Sequence, residues 1–198
     1  MEITTAQIKE LREATSAGVL ECRKALEQAQ GDMGKAAAIL KEKGLAKAAK
    51  KSERTTKDGR VELYAHPGNR MGVMLEVNCE SDFVARTEGF KTLVHDLALH
   101  IAFSNPKYVR AEDVPADEVE IQRAKFKAEA AATGKPENVL DKIVQGKLDK
   151  YYDEICLLRQ PFVKDDKVAV GDLVTAGIAK IGENIVVRRF VRYELGEA

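Results

Sequence analysis

The sequence has no long apolar run, no excess of one charge and few cysteines. No stretch approaches the roughly 18 uninterrupted apolar residues of a membrane-spanning helix, and the start MEITTAQIKE has neither the basic nor the apolar region of a signal peptide. Because 32 Lys and Arg residues balance 32 Asp and Glu residues, the net charge favours no class of partner. Three widely spaced cysteines argue against a disulfide framework and favour a reducing compartment. We therefore expect a cytoplasmic protein with no membrane contact.

The sequence also lacks the short motifs that mark nucleotide-binding, metal and hydrolase sites. CxxC, HExxH, GxSxG and GxxxxGK[ST] are all absent. His95 and His100 are five residues apart on a predicted helix, which places them on different faces rather than on one metal-binding face. We expect no enzyme, no metal site and no cofactor, and a function carried out by binding.

Residues 1–44 carry the apolar spacing of three short helices. The boundaries come from capping and breaking residues: Thr4 or Thr5 before the first helix, Ser16–Gly18 (SAG) after it, Asp32 before the third helix and Gly44 at its end. Roughly forty residues form only a thin core, so this module should be marginally stable alone.

A basic segment, residues 45–59, follows the predicted module. The run LAKAAKKSERTTKDGR (45–60) contains six Lys or Arg residues and two acidic residues. Its composition favours a solvated linker. The alternative, a nucleic-acid contact, is less favoured because no aromatic residue is interleaved for base stacking and no second basic patch lies nearby.

From residue 60 the apolar residues recur with a period of two. RVELYAHPGNRMGVMLEVNC (60–79) predicts two strands joined at Pro67–Asn69. The predicted buried faces alternate along each strand: Val61, Leu63 and Ala65 on the first, and Met71, Val73, Leu75, Val77 and Cys79 on the second. On such a face Cys79 is a core residue rather than a nucleophile.

The remaining pattern predicts helices and one further strand. A helix runs from about Phe90 to Ala102, and two more between about 112 and 158 predict a projecting antiparallel helical hairpin. A helix ending near Gly182 precedes a strand from about Ile185 to Tyr193. The predicted fold class is α+β: an N-terminal three-helix module and a core domain (60–198) in which a small antiparallel sheet of about three strands packs with helices.

The run SDFV, Ser81 to Val84, directly follows the second predicted strand. Ser81 suits a helix N-cap, so Asp82 and Phe83 would occupy a first turn anchored by strand 71–79 and by the helix after Thr87. A rigid aromatic side chain in that position can enter a partner pocket, where buried aromatic residues are favoured hot spots. The residues alone leave the use of this turn open.

Several separate segments resemble the elongation factor Ts family. IKELREATSAGVLECRKALEQAQGD is similar to its ubiquitin-associated-like N-terminal module, and MGVMLEVNCESDFVAR to its core segment. HIAFSNPKYV, GKPENV, QPFVKDD and AKIGEN resemble its C-terminal core, in the family's order. The resemblance implies a guanine nucleotide exchange factor that binds elongation factor Tu and promotes GDP release by displacing magnesium, so that GTP can bind.

The resemblance also implies the residues that contact the partner. The turn Ser81, Asp82, Phe83 and Val84 would enter the GTP-binding domain beside its magnesium and phosphate site. Further contacts would come from the N-terminal module, at Lys9, Arg12, Val19, Leu20 and Arg23, and from the core, at Met71, Gly72 and His100. The chain differs from the family at Ser81, usually threonine, and at Val19 and Leu20, often methionine. Short family members dimerise through their cores, so a homodimer is also expected.

Two other classes remain as alternatives without exchange activity. A ubiquitin-associated-like adaptor would use only residues 1–44, and a nucleic-acid-binding module would use the basic segment. Neither explains the core motifs, so we expect no direct contact with nucleic acid.

Overall fold

Three helices begin the chain, as predicted: α1 (Thr5–Thr15), α2 (Val19–Gln28) and α3 (Met33–Ala49). The computed structural model describes residues 3–15, 17–132 and 136–197. Ser16 of the predicted SAG break and the first two residues of GKPENV therefore lie outside the described residues.

Side-chain caps begin α1 and α3. Thr4 Oγ1 accepts a hydrogen bond from the Gln7 backbone N–H (3.2 Å), and Gln7 Oε1 accepts one from the Thr4 N–H (3.0 Å), which forms a capping box. Asp32 Oδ1 accepts from the Lys35 N–H (2.9 Å), so the predicted cap of α3 is confirmed.

The predicted end of α3 at Gly44 is wrong, because the helix continues to Ala49. A glycine inside a helix costs about 1 kcal/mol relative to alanine. The following residues, Leu45 to Ala49, are all strong helix formers and offset that cost. The core of the three helices consists of buried apolar residues: Leu11, Cys22, Ala25, Leu26, Ala29, Ala36 and Leu40.

The strands are β1 (Asp58–Ala65), β2 (Met71–Cys79), β3 (Pro161–Phe162), β4 (Asp165–Ala169) and β5 (Ile185–Glu194). One sheet has the order β1-β2-β5. The β1–β2 hairpin turns through Gly68 (φ 93°) and Asn69 (φ 52°), with a hydrogen bond from the His66 N–H to Met71 O. The predicted hairpin and third strand are confirmed.

The face of β1 that was predicted to be buried is exposed. Val61 and Leu63 are 57% and 71% exposed, whereas Glu62 is buried and its Oε1 lies 3.2 Å from His95 Nδ1. The hairpin places His66 opposite Met71 and therefore Leu63 opposite Met74, which is itself half exposed. A period of two identifies two faces but not which of them is covered, and here the polar set of β1 faces inward.

The remaining helices are α4 (Asp82–Ala85), α5 (Glu88–Ser104), α6 (Ala116–Ala131), α7 (Glu137–Ile155) and α8 (Val170–Ile181). In the described parts of the chain, no helix is both long enough and apolar enough to span a membrane. β3 and β4 form a second, two-stranded antiparallel sheet that the sequence pattern did not predict, because strands this short show no period. The fold class is α+β, as predicted.

Helices α6 and α7 pack as an antiparallel pair. The buried side chains of Ala130, Val144 and Leu148 form one cluster between them. Lys147 pairs with Glu129, and the Tyr151 hydroxyl donates to Glu118. The pairing of these two helices, predicted from their apolar spacing, is confirmed.

The chain divides into two compact units. The first contains the chain up to Arg60, Val77–Val94 and Leu173–Val186, and the second contains Val61–Glu76, His95–Asp172 and the chain from Val187 onward. The sequence-based division into a module at 1–44, a basic segment at 45–59 and a core domain at 60–198 stays a prediction.

Replacing Leu148 by alanine should lower the free energy of unfolding by about 2–5 kcal/mol, because it removes a fully buried side chain and leaves a cavity. Ile121→Ala on α6, where the side chain is 66% exposed, should change it by less than about 0.5 kcal/mol. Urea unfolding, monitored by circular dichroism at one protein concentration, measures both changes in the free energy of unfolding. Equal losses would show that Leu148 is not packed between α6 and α7.

Candidate functional site

Phe83 lies on the first turn of α4, directly after β2, and its side chain is 77% exposed. Ser81 is the N-cap: its backbone is extended (φ −133°, ψ 152°), and its Oγ accepts a hydrogen bond from the Val84 N–H (3.4 Å). Val84 and Ala85, on the other side of the turn, are buried. The turn therefore packs one side against the protein and presents Phe83 to solvent.

Asp82 lies next to Phe83 and carries the exposed charge of the turn. Its carboxylate pairs with Arg86 at 2.6 Å, and both side chains are mostly exposed. An exposed pair spaced four residues apart on a helix contributes only about 0.3–0.5 kcal/mol. The Asp82 carboxylate can therefore be redirected towards another group at little cost.

A carboxylate from the loop after α8 holds the start of the turn. Glu183 Oε2 accepts hydrogen bonds from the backbone N–H groups of Glu80 and Ser81, each at 3.0 Å. Glu183 Oε1 accepts a third from Ser81 Oγ at 2.6 Å. Hydrogen bonds to an ionised acceptor are about twice as strong as neutral ones.

The neighbouring residue, Asn184, extends this network to the segment after α3. Its backbone N–H donates to Glu80 Oε1 (2.7 Å), and its side-chain amide donates to the carbonyl oxygens of Ser52 (3.3 Å) and Arg54 (2.9 Å). Arg54 in turn lies 3.5 Å from Glu80 Oε2. The loop after α8 thus links the start of α4 to residues 52–54.

Several charges of the basic segment are engaged within the fold. Lys47 pairs with Glu21, Lys51 donates to the Gly182 carbonyl oxygen, and Arg54 pairs with Glu80. These contacts use basic side chains that a nucleic-acid surface would leave directed at solvent.

The residues predicted in the N-terminal module all lie on its surface. Val19 and Leu20 begin α2 and are 51% and 72% exposed. Lys9, Arg12 and Arg23 are exposed on α1 and α2, and Arg23 pairs with Glu27 at 2.9 Å. Exposed apolar and basic side chains therefore occur together on these two helices.

The residues predicted in the core differ in exposure. Met71 and Gly72 are half-buried at the start of β2 and line a shallow groove with Tyr193 and Leu195. His100 on α5 is fully buried. In this conformation it has no exposed atom with which to contact a partner.

The contacts of His100 explain its burial. Nε2 lies 2.9 Å from Gln160 Oε1, and Nδ1 accepts a hydrogen bond from the Val163 N–H at 3.2 Å. Because Nδ1 accepts, Nε2 carries the proton and the ring is neutral. Burial lowers the pKa of His100. Its role in these contacts is to join α5 to the segment around β3.

No cluster of three or more His, Cys, Asp or Glu side chains that could hold a metal ion occurs among the described residues. Buried Cys79 donates to the Ser81 carbonyl oxygen (3.1 Å), and its place in the core is confirmed. The chemistry of the site is that of an exposed aromatic ring beside a carboxylate, on a turn held by hydrogen bonds.

Comparison with known proteins decides the family. The family model described as elongation factor TS matches residues 2–197. The chain belongs to the elongation factor Ts family. Elongation factor Ts of Herpetosiphon aurantiacus is 56% identical over 196 residues, which cover 99% of each chain.

Other members of the family are similarly close. Elongation factor Ts of Heliobacterium modesticaldum is 54% identical over 195 residues, which cover 98% of this chain and 91% of that protein. Elongation factor Ts of Solibacter usitatus is 53% identical over 197 residues, which cover 100% and 93% of the two chains. As a member of the elongation factor Ts family, the chain is a translation elongation factor.

Glu183 and Asn184 were not predicted as part of the site. Both lie in AKIGEN, a segment that resembles the elongation factor Ts family, and they follow Gly182, which ends α8 with a φ of 90°. Polar residues after a helix-ending glycine are typical of a solvated loop. Two successive polar residues inside a family-specific segment were the available signal.

All three cysteines should resist thiol reagents in the folded protein. Cys22, Cys79 and Cys156 are fully buried, and burial raises the pKa values of Cys79 and Cys156 to about 11. Ellman's reagent at pH 8 should therefore label none of them over minutes, and three equivalents should react in guanidinium chloride. A cysteine that reacts at the same rate in both conditions would contradict the burial described for it.

Proposed function

We propose that this protein accelerates the release of GDP from elongation factor Tu in the cytoplasm, by binding and without covalent chemistry. The observation that carries the proposal is Phe83, an aromatic side chain 77% exposed on an anchored turn in a member of the elongation factor Ts family. An exposed aromatic residue whose backbone is already ordered loses little conformational freedom on entering a pocket.

In the proposed mechanism, the turn Ser81–Val84 enters the GTP-binding domain beside the bound magnesium and phosphates. Phe83 displaces groups of the partner, and Val84 supports the turn from beneath because it is buried. The Asp82 carboxylate, released from its surface pair with Arg86, repels the phosphates and competes for their hydrogen-bond donors. Magnesium is lost first and GDP then dissociates.

The N-terminal module, residues 1–44, provides a second contact with the same domain. Its exposed apolar pair, Val19 and Leu20, would cover apolar surface of the partner, while Lys9, Arg12 and Arg23 add positive charge. In the core domain, Met71 and Gly72 line a groove open to a partner. Because His100 is buried, its proposed contribution is to hold α5 in place.

Exchange follows from thermodynamic linkage. If this protein binds nucleotide-free elongation factor Tu more tightly than the GDP complex by some factor, its binding must weaken GDP by the same factor. GTP can then occupy the emptied site, and the exchange factor dissociates.

Release of fluorescent GDP from elongation factor Tu tests the proposal. Wild-type protein should accelerate release, and Phe83→Ala should lower the second-order rate constant by about 30-fold, which corresponds to a hot spot of about 2 kcal/mol. Asp82→Ala should give a smaller loss, because the aromatic ring remains.

Phe103→Ala is the control for Phe83→Ala, since Phe103, at the end of α5, is also an exposed phenylalanine (51%). It should exchange at the wild-type rate. No acceleration by the wild type would contradict the proposed function. Wild-type rates for both Phe83→Ala and Asp82→Ala would contradict only the role of the turn.

We also propose a homodimer formed through an apolar sheet face, defined by Val61, Leu63, Met74, Val191 and Tyr193. All five side chains are exposed, and they come from all three strands of the β1-β2-β5 sheet. The pairing that brings Arg189 to Glu76 and Leu195 to Arg70 places Val191 beside Met74, whose other neighbour is Leu63. These three residues form an apolar row across the sheet.

A second copy of the chain is the proposed occupant of the apolar sheet face. Contiguous exposed apolar surface on a soluble protein marks an interaction site. On this face Arg189 pairs with Glu76 at 2.7 Å, so opposite charges are matched there and a twofold axis can bring the face against itself. Such a dimer would engage two molecules of elongation factor Tu.

Light scattering at micromolar concentration should give twice the chain mass for the wild type. Leu63→Glu should give a monomer, because it places a charge within the apolar sheet face. Ile121→Glu, at an equally exposed apolar residue on α6, should remain dimeric. A monomeric wild type, with or without elongation factor Tu, would contradict the dimer.

A further inference from the structure

We propose that Glu183 is the positioning residue of the Ser81–Val84 turn, and that its carboxylate sets the direction in which Phe83 points. The assignment rests on the proposed function, since it gives Glu183 a role in exchange without a contact to the partner. Its physical basis is a set of hydrogen bonds within one unit of the fold.

The Glu183 carboxylate accepts hydrogen bonds from two consecutive residues. The backbone N–H groups of Glu80 and Ser81 share Oε2 at 3.0 Å each, and the Ser81 hydroxyl binds Oε1 at 2.6 Å. These residues immediately precede Asp82 and Phe83. One carboxylate therefore determines the backbone direction from which the turn begins.

Glu183 also orients the cap of α4. A carboxylate only accepts hydrogen bonds, so the Ser81 hydroxyl must donate its hydrogen to Glu183. The lone pairs of Ser81 Oγ are then left for the Val84 N–H, which lies 3.4 Å away. Glu183 thus holds the hydroxyl in the orientation that an N-cap requires.

The loop that carries Glu183 is held on both sides. On one side, Gly182 ends α8 in the left-handed conformation (φ 90°), and its N–H donates to Ile178 O at 2.9 Å. On the other side, the side chain of Asn184 is buried and donates to the carbonyl oxygens of Ser52 and Arg54. Glu183 is therefore a fixed point against which the turn is placed.

The two loops hold each other reciprocally. Glu183 accepts from the backbone of Glu80, and Glu80 Oε1 accepts from the backbone N–H of Asn184 at 2.7 Å. Removing the Glu183 carboxylate leaves two backbone N–H groups and one hydroxyl without these acceptors. The turn then samples other directions, and a misplacement of about 1 Å in a positioned group can cost roughly 100-fold in rate.

The maximum rate of GDP release, measured with saturating exchange factor, should separate positioning from binding. Glu183→Ala should lower this rate at least about tenfold. The half-saturating concentration should change less than about threefold, because the contacts of α1 and α2 are untouched. Glu120→Ala removes an exposed carboxylate that pairs with Arg123 on α6, and it should leave both parameters unchanged.

Glu183→Gln provides the conservative rescue. Its amide oxygen can accept from both backbone N–H groups, and its amide N–H can donate to Ser81 Oγ. It should keep the maximum rate within about threefold of the wild type. A Glu183→Gln protein as slow as Glu183→Ala would overturn the positioning role in favour of a direct need for the negative charge.

The double variant Phe83→Ala/Glu183→Ala tests whether Glu183 acts through Phe83. If it does, the double variant should release GDP at the rate of Phe83→Ala alone, because no ring remains to be positioned. If the release rate of the double variant instead falls by the product of the two single-variant factors, the assignment is overturned, since Glu183 would then act independently of Phe83.

Hydrogen exchange of the free protein separates this inference from the proposed function. Glu183→Ala should reduce protection of the peptide spanning residues 80–85, and Glu120→Ala should not. Unchanged protection would overturn the positioning role whatever the exchange assay shows. Reduced protection with a wild type that does not release GDP would leave the positioning intact and remove the proposed function.

Circular dichroism must first show that Glu183→Ala is folded. If it is not, Glu183→Asp allows the same comparisons, since it keeps the charge and shortens the reach by one methylene. Wild-type protection and wild-type rates for a folded Glu183→Asp protein, together with a rescuing Glu183→Gln, would overturn the requirement for this geometry.

Discussion

A single carboxylate that accepts hydrogen bonds from two consecutive residues is the contact on which the candidate site depends. Glu183 binds the backbone of Glu80 and both the backbone and the hydroxyl of Ser81. With that contact in place, Ser81 caps α4 and Val84 packs inward, so Phe83 is left at the surface with a fixed backbone. We expect that without this contact the turn is less ordered, and Phe83 then binds a partner less strongly because ordering the turn costs conformational entropy.

Exposed apolar surface has a cost, and three of the places where this protein carries it are Phe83, the pair Val19 and Leu20, and the apolar sheet face. Each is proposed to be covered by another protein chain, the first two by elongation factor Tu and the third by a second copy. Val61 and Leu63 illustrate the point, because their alternation is that of a buried strand face although solvent covers them here. Period-two spacing reports that a face is apolar, not which molecule covers it.

Much of the fold was predictable because its signals are local. The caps at Thr4 and Asp32, the hairpin turn at Gly68 and Asn69, and the helix end at Gly182 are all determined by residues within a few positions. The errors also have local causes. Gly44 interrupts good helix formers without ending the helix, and β3 and β4 are too short to show a period.

The candidate site was predictable only in part. Ser81 was recognisable as a cap and Phe83 as an aromatic residue on an anchored turn, but their use came from the resemblance to the elongation factor Ts family. Glu183 could not be predicted, because it lies 102 residues from Ser81 and a single polar residue in a loop has no periodic pattern. The burial of His100 was likewise not predicted, since Gln160, whose side-chain oxygen accepts a hydrogen bond from His100 Nε2, lies 60 residues away.

In the proposed function, binding of this protein to elongation factor Tu and binding of GDP to elongation factor Tu oppose each other. Calorimetry can measure all four equilibria of the cycle: the exchange factor with nucleotide-free and with GDP-bound elongation factor Tu, and GDP with and without the exchange factor. We expect the exchange factor to bind the GDP-bound form more weakly than the nucleotide-free form, and GDP affinity to fall by the same factor when the exchange factor is bound. Equal affinity for the two forms of elongation factor Tu would contradict it.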